Sequence, residues 1–285
     1  MHFTVDIISF WVYNIYCKYT QENLKMKKLL SIALIAVLAF SLVACSSDKT
    51  EDTNTDKKVL TVATSADFPP YEFVDDDGNF AGIDVEIAGL IADKMGYELE
   101  IVNMDFNSII PAVATGKYDL GMSGFSITED RKESVLFSDC YVTAQQVVIV
   151  TEDSDIESVD DLYAEGATYV VGTQLSTTGD IYFSDDIANE LTTCSIMEYV
   201  KATDLVQALK TGKIDCIIID NAPAQEFVAK NEGLKILETE YVTEEYAVCT
   251  KLGNDEMISQ VNAALSDLLS DGSIQAVIDK YISAK

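Results

Sequence analysis

The chain is 285 residues long, with 48% hydrophobic residues and only four prolines, enough apolar material to bury a core in one large or two ordinary domains. Its 48 acids outweigh 19 bases, a formal net charge of −29, which argues against nucleic acid or an anionic membrane surface as a partner of the folded part. The single histidine, His2, lies ahead of an expected cleavage site, so histidine-based nucleophilic mechanisms and histidine-ligated zinc are excluded from the mature chain.

In chain order, residues 1–25 have no place ahead of the secretory leader that follows, and read as an extension from a start codon set too early. From Met26 come two lysines, a 16-residue apolar run from Leu29 to Ala44, and small residues before a cysteine. That is the pattern of a signal peptide over residues 26–44. The run is shorter than the roughly 20 residues that span a bilayer, although an uncleaved membrane helix is the alternative. "LVAC" resembles the lipobox of bacterial lipoproteins, which implies cleavage before Cys45 and a lipid anchor on its sulfur. Cleavage there removes two acids (Asp6, Glu22) and four lysines (Lys18, Lys25, Lys27, Lys28) and leaves the chain more acidic still. Residues 45–58 are polar without apolar period and predict a flexible tether.

From Val59 onward strand patterns alternate with amphipathic helices, which predicts an α/β fold of parallel sheets covered on both faces. "VLTVAT" reads as a strand, and "PYEFVDDDGNFAGI" as a hairpin turning at DDGN. "DVEIAGLIADKMG" reads as a helix with Asp84 as N-cap, Val85, Ala88, Ile91 and Met95 on the apolar face, and Gly96 as the stop. "ATGKYDLGMSG" and "KTGKIDCIIID" echo one another: a helix end, Thr-Gly-Lys, one residue, an aspartate, then an apolar strand. The echo predicts two similar lobes. Cys140, Cys194, Cys216 and Cys249 are widely spaced and expected to be small buried hydrophobes, a disulfide being the alternative in an exported chain.

The first echoed strand leads into "SGFSITEDR", which carries Arg131, the one arginine of the chain; the second ends on Asp220. Ligands in open α/β sheets sit beyond the carboxyl ends of the strands, so the lobes would offer charges of opposite sign to one cleft. A guanidinium fork facing a carboxylate matches a zwitterion such as a free α-amino acid. Ser126 and Thr128 stand beside Arg131, and "STTGD" opens a helix whose first N–H groups favour an anion. The ordinary alternatives are that Arg131 pairs with surface acids, that Thr177 or Thr178 is an N-cap, and that Asp220 caps the helix starting near Ala222. Arg131 is expected to matter little for folding, because an open cleft leaves a guanidinium partly in water.

Taken in order, "ATSADFPPYEF", "FAGIDVEIAGLIADKMG", "MDFNSIIPAVATGKYDLGMSGFSITEDRKESVLFSD", "GTQLSTTGD", "DCIIIDNAP" and "GNDEMISQVNAALSDLLSDGSIQAVIDKYI" resemble the polar amino acid-binding proteins of bacterial ABC importers. The resemblance covers Val59 to Lys285. It implies the two-lobed periplasmic-binding-protein (Venus flytrap) fold: two α/β sandwiches joined by two hinge strands, "QQVVIV" and "EEYAVC". Residues 59–147 and 246–285 would form the first lobe and residues 148–245 the second. It also implies that Arg131 clamps the ligand carboxylate, that Thr178 and the backbone at Gly124 and Ser126 support its two ends, and that Asp220 receives the ammonium. Phe68 and Phe106 would wall the side chain. Cys140 stands where many relatives have proline, Ser65 where binders of cationic amino acids often have aspartate, and Gln174 where some are basic. With no formal charge at Ser65 or Gln174, the expected ligand has a neutral, polar or moderately apolar side chain.

The function so implied is that of a non-catalytic, monomeric receptor without cofactor, lipid-anchored outside the cytoplasmic membrane, handing its amino acid to a permease and its ATPase. The alternatives are a sensory module without transport and a dehydratase or lyase on the same fold. "GMSGF" comes near a nucleophile elbow, but Phe125 replaces the last glycine and no histidine remains to activate Ser123.

Overall fold

The computed structural model describes residues 57–282. The N-terminal extension, the leader, Cys45 and most of the tether lie outside the described residues. After β1 (Val59–Thr64) comes a small antiparallel sheet of β2 (Asp67–Phe68), β3 (Glu72–Val74) and β4 (Phe80–Ala81). The acidic turn joins β3 to β4, and the Asp75 carboxylate closes it by accepting the N–H groups of Asp77 and Asn79 at 3.0 and 2.7 Å.

Helix α1 (Ile83–Met95) starts two residues earlier than expected, with Gly82 rather than Asp84 at the N-cap and no side-chain cap. Its buried face runs through Ile83, Ile87, Ala88, Ile91 and Ala92, while Val85 and Met95 are half-buried. Asp84 is therefore not a cap. It sits inside the first turn with its carboxylate turned inward, where the Tyr141 hydroxyl donates to Oδ1 and the Gly124 N–H to Oδ2, both at 2.8 Å. Then follow β5 (Glu98–Asn103), α2 (Phe106–Ala114), β6 (Leu120–Gly121), the one-turn α3 (Glu129–Lys132) and β7 (Val135–Phe137).

The ten-residue β8 (Val142–Thr151) carries the chain into a second sheet. There lie β9 (Val170–Gln174), α4 (Thr178–Ala188), β10 (Ser195–Tyr199), α5 (Ala202–Lys210), β11 (Cys216–Asp220), α6 (Asn221–Lys230) and β12 (Leu234–Ile236). Strand β13 (Val242–Tyr246) returns antiparallel to residues 142–146 of β8, and β14 (Cys249–Lys251), α7 (Asp255–Ser270) and α8 (Ser273–Tyr281) complete the first lobe. Helices α7 and α8 pack on α1. Among the described residues no helix is long and apolar enough to cross a membrane.

The sheet orders are β5-β1-β6-β14-β7 and β10-β9-β11-β8-β12, with the same sequence of pairings in each: parallel, parallel, antiparallel, antiparallel. The sheets are thus mixed rather than parallel. Strands β8 and β14 enter their sheets from the crossings between lobes, opposite in direction to the strands built by strand-helix-strand units. The sequence echo maps onto this symmetry, since β6 and β11 hold the third place in their sheets. Gly116 and Gly212 end α2 and α5 with φ of 75° and 68°. The echoed aspartates do one job twice: Asp119 accepts the N–H of Thr61 in β1 at 2.8 Å, and Asp215 that of Val170 in β9 at 2.7 Å. Cys194, Cys216 and Cys249 are buried and free, and Cys140 is half-buried and free.

Candidate ligand cleft between the lobes

The parallel strands of both sheets point their carboxyl ends at one cavity. Ser65 follows β1, Ser123 follows β6, Gln174 ends β9 and Asp220 ends β11, and all four line it. Each of the nine residues singled out from sequence, Ser65, Phe68, Phe106, Gly124, Ser126, Arg131, Gln174, Thr178 and Asp220, is on its wall. The lobes touch across the cleft: Arg131 Nη2 donates to the Ser176 carbonyl at 2.9 Å, and the Ala202 N–H, in the first turn of α5, donates to Asp67 Oδ2 at 3.1 Å.

Arg131 is not a surface residue. Thr128 caps α3 by accepting the Arg131 N–H at 3.2 Å, which aims the side chain into the cleft, where it is 7% exposed. The guanidinium lies over the rings of Phe106 and Phe125, 5.7 and 5.4 Å from their centroids, and Nη1 donates to the Ser126 carbonyl at 2.7 Å. Among the described residues no carboxylate comes within 4.0 Å of its nitrogens. Burial holds its pKa below the usual arginine value, with the Glu244 charge the largest opposing influence. A buried cation without a counter-ion calls for an anion in the cavity. Its packing also makes Arg131 part of the fold, contrary to the expectation from an open cleft.

Across the cavity, Asp220 occupies the N-cap position of α6, yet its side chain makes no capping bond. Its Oδ1 is buried and without a partner. Burial, and secondarily Glu244 of β13, push its pKa up to about 8. The Thr178 and Gly179 N–H groups are first-turn donors of α4, the N-cap being Thr177, whose hydroxyl accepts from the Asp180 N–H. Thr178 Oγ1 is held by Gln146 Nε2 at 2.7 Å. Gly124 turns with φ of 55°, and a Cβ there would meet the Tyr246 ring at 3.3 Å. Its N–H is spent on Asp84, so only its carbonyl remains for a ligand.

Sequence reasoning missed Asp67, Glu72, Ser123 and Thr177, which also line the cavity. Phe68 and Glu72 are directly paired across β2 and β3, so they share one face; that pairing was the available signal. Glu72 is fully buried, with Oε1 accepting from Ser123 Oγ at 2.6 Å and Oε2 unpartnered. Ser65 donates to Asp67 at 3.1 Å and Gln174 to the Val200 carbonyl at 3.1 Å. Asp67 and Glu72 thus add two carboxyl groups to the wall that holds Ser65 and Gln174, which the expectation of a neutral ligand side chain did not take into account.

Two lobes of matched topology, two crossings and an enclosed polar cavity between them define a two-lobed solute-binding protein with the Venus flytrap fold. The profile of the bacterial extracellular solute-binding proteins, family 3, matches residues 60–284, and the chain belongs to that family. It is 32% identical over 265 residues to the arginine-binding extracellular protein ArtP of Bacillus subtilis (strain 168), covering 91% of this chain and 100% of that protein. Among solved structures it is similar to an ancestral arginine-binding protein bound to arginine, with TM-score 0.74 and 34% identity over 80% of this chain and 99% of the other. The corresponding structure bound to glutamine matches with TM-score 0.73 at the same identity and coverage.

Proposed function

We propose that this protein is the extracytoplasmic receptor of an ABC importer and captures a free α-amino acid with a cationic side chain, arginine foremost. The observation that carries the side-chain reading is the charge balance of the cavity. The ligand's carboxylate and ammonium answer Arg131 and Asp220, and Asp67 and Glu72 are then left on the wall with no cation of the described residues within 4.0 Å to meet them. A guanidinium or ammonium would fill that role and give the unpartnered Glu72 Oε2 a donor. Phe68 offers a flat face for the aliphatic stem. The arginine-binding names of the relatives support the same reading, and the glutamine-bound ancestral structure supports a neutral amide as second choice.

Closure drives capture only to the extent that the ligand prefers the closed form. Across the cleft the Arg131–Ser176 and Ala202–Asp67 bonds supply a closed geometry to prefer. The protein acts as a non-catalytic monomer, and its Ser123 hydroxyl is spent on Glu72. The lipid anchor and the permease and ATPase partners rest on the LVAC leader and on the family.

A thermal-shift and calorimetric screen of the free amino acids should give its largest response with L-arginine, followed by other cationic or amide side chains. A largest response with an apolar amino acid would sink the side-chain reading. For the anchor, intact-mass analysis of membrane-bound material should find a lipid-modified Cys45 as the first residue; residues 1–44 still attached would overturn it.

A further inference from the structure

Five carboxylates, those of Glu72, Asp84, Asp180, Asp220 and Glu244, are buried in the described residues, against one buried cation, Arg131. Asp180 is provided for by the Ser176 N–H and the Thr173 hydroxyl. The other four form two pairs, one in each lobe. In the first lobe both Asp84 oxygens already accept hydrogen bonds, while Glu72 beside it has a buried Oε2 with no donor. In the second, Glu244 Oε2 accepts from Ser126 Oγ at 2.7 Å and from Gln146 Nε2 at 3.4 Å, yet Glu244 Oε1 and Asp220 Oδ1 have no partner. Two ionised carboxylates cannot share a dry site, and a lone acceptor beside a second carboxylate is satisfied when it carries a proton and donates it.

We propose that each pair holds one proton in the ligand-free protein, and that the α-ammonium displaces the proton of Asp220–Glu244 while a cationic side chain displaces that of Glu72–Asp84. The inference rests on the amino acid reading above and deepens it. In each exchange the O–H bond of a carboxylic acid breaks, the proton passes to solvent, and the carboxylate keeps the electron pair and faces the incoming cation. Proton loss thus counts the positive charges that enter the cleft.

The surroundings of both pairs agree. Asp220 is faced by Glu244 and Tyr246 of β13, by Tyr71 and, more remotely, by Arg131 of α3. Glu72 is faced by Asp84 of α1, Asp67 of β2 and Tyr71, and Asp84 also by Tyr141. Burial, ahead of the neighbouring carboxylates, raises Asp220 to about 8 and Glu72 well above its ordinary value, the direction that retains a proton in each pair. The complex then binds fewer protons than the free protein, and affinity must rise with pH, by about tenfold per unit for each proton released.

Two measurements test this. In the ligand-free protein at neutral pH, infrared spectra should contain the C=O stretch of protonated carboxylic acids, weakened in Glu72→Gln and in Asp220→Asn. Its absence from the wild type overturns the proposal whatever the cleft binds. Titration calorimetry in phosphate and in Tris then counts protons from the dependence of the heat on buffer: about two for L-arginine and about one for L-glutamine. Glu72→Gln should lower the arginine count to about one and leave the glutamine count alone. If L-arginine gives no heat, the cationic reading fails, and a count of about one with L-glutamine still supports the exchange at Asp220–Glu244. Binding of either amino acid with no proton released overturns the proposal.

Discussion

Arg131→Ala should weaken amino acid binding by roughly 30-fold to several thousand-fold, the about 2–5 kcal/mol that removal of one partner of a buried charge pair costs. It should also lower the melting temperature of the ligand-free protein. The guanidinium serves two acceptors at once, the Ser126 carbonyl and the Ser176 carbonyl across the cleft, and the proposed ligand carboxylate would be a third. It also fills the space over the Phe106 and Phe125 rings. Alanine leaves the Ser126 carbonyl without its charged donor and opens a void beside the rings, each a recognised source of lost stability. Arg131→Lys tests geometry against sign. One ammonium can neutralise the ligand carboxylate but cannot span two carbonyls and a bidentate anion from a single nitrogen. Its affinity should fall between alanine and wild type, with the melting temperature only partly recovered. Calorimetry and thermal melts on the same samples decide it: wild-type affinity in the lysine variant would mean that charge alone is read here.

Asp220→Asn should give the opposite combination, a large loss of affinity without loss of stability. The ligand ammonium loses its carboxylate, again in the range of about 2–5 kcal/mol. Asparagine is as good an N-cap as aspartate, so a capping role would leave affinity untouched. For stability the sign follows from the direction of the shift. The folded-state pKa of Asp220, about 8, lies above its ordinary 3.8, so the native protein binds more protons than the unfolded chain between those values. Stability contributed by the protonated form is full below about 4 and lost as pH rises towards 8. The ligand-free Asp220→Asn variant should therefore melt no lower than wild type at neutral pH, and its melting temperature should decline less between pH 5 and pH 8. A steeper decline in the variant would overturn this reading of Asp220.

Much of this molecule was legible as a string. The alternation of strands and helices and the Thr-Gly-Lys echo pointed to two lobes, and β6 and β11 do hold equivalent places, each followed or ended by a charge of opposite sign. The helix stop and the apolar run are local, set by residues a few positions apart, whereas the echoed aspartates reach 58 and 45 positions back along the chain to the neighbouring strand. Local pattern also misled. Asp84 has the spacing of an N-cap, but Tyr141 and Gly124 offer its carboxylate better-placed donors, and the helix takes Gly82 as its N-cap instead.

What only the tertiary structure decided is which charges face one another in the absence of water. Arg131 was expected to stay partly in water within an open cleft, but exposure is a property of the assembled cleft; two aromatic rings and a carbonyl from the other lobe enclose it. Asp67 and Glu72 stood in plain sight in "ATSADFPPYEF", yet only the pairing of β2 with β3 turns Glu72 to the side of Phe68. Glu244, in a strand that crosses between lobes, becomes the neighbour of Asp220 through the pairing of β13 and β11 with β8. Composition specified an acidic chain that buries a core. Because the strength of a charge pair depends on distance and on the exclusion of water, the selectivity of the cleft is settled by contacts between residues far apart in the chain, Ser126 and Glu244 at 118 positions and Asp67 and Ala202 at 135.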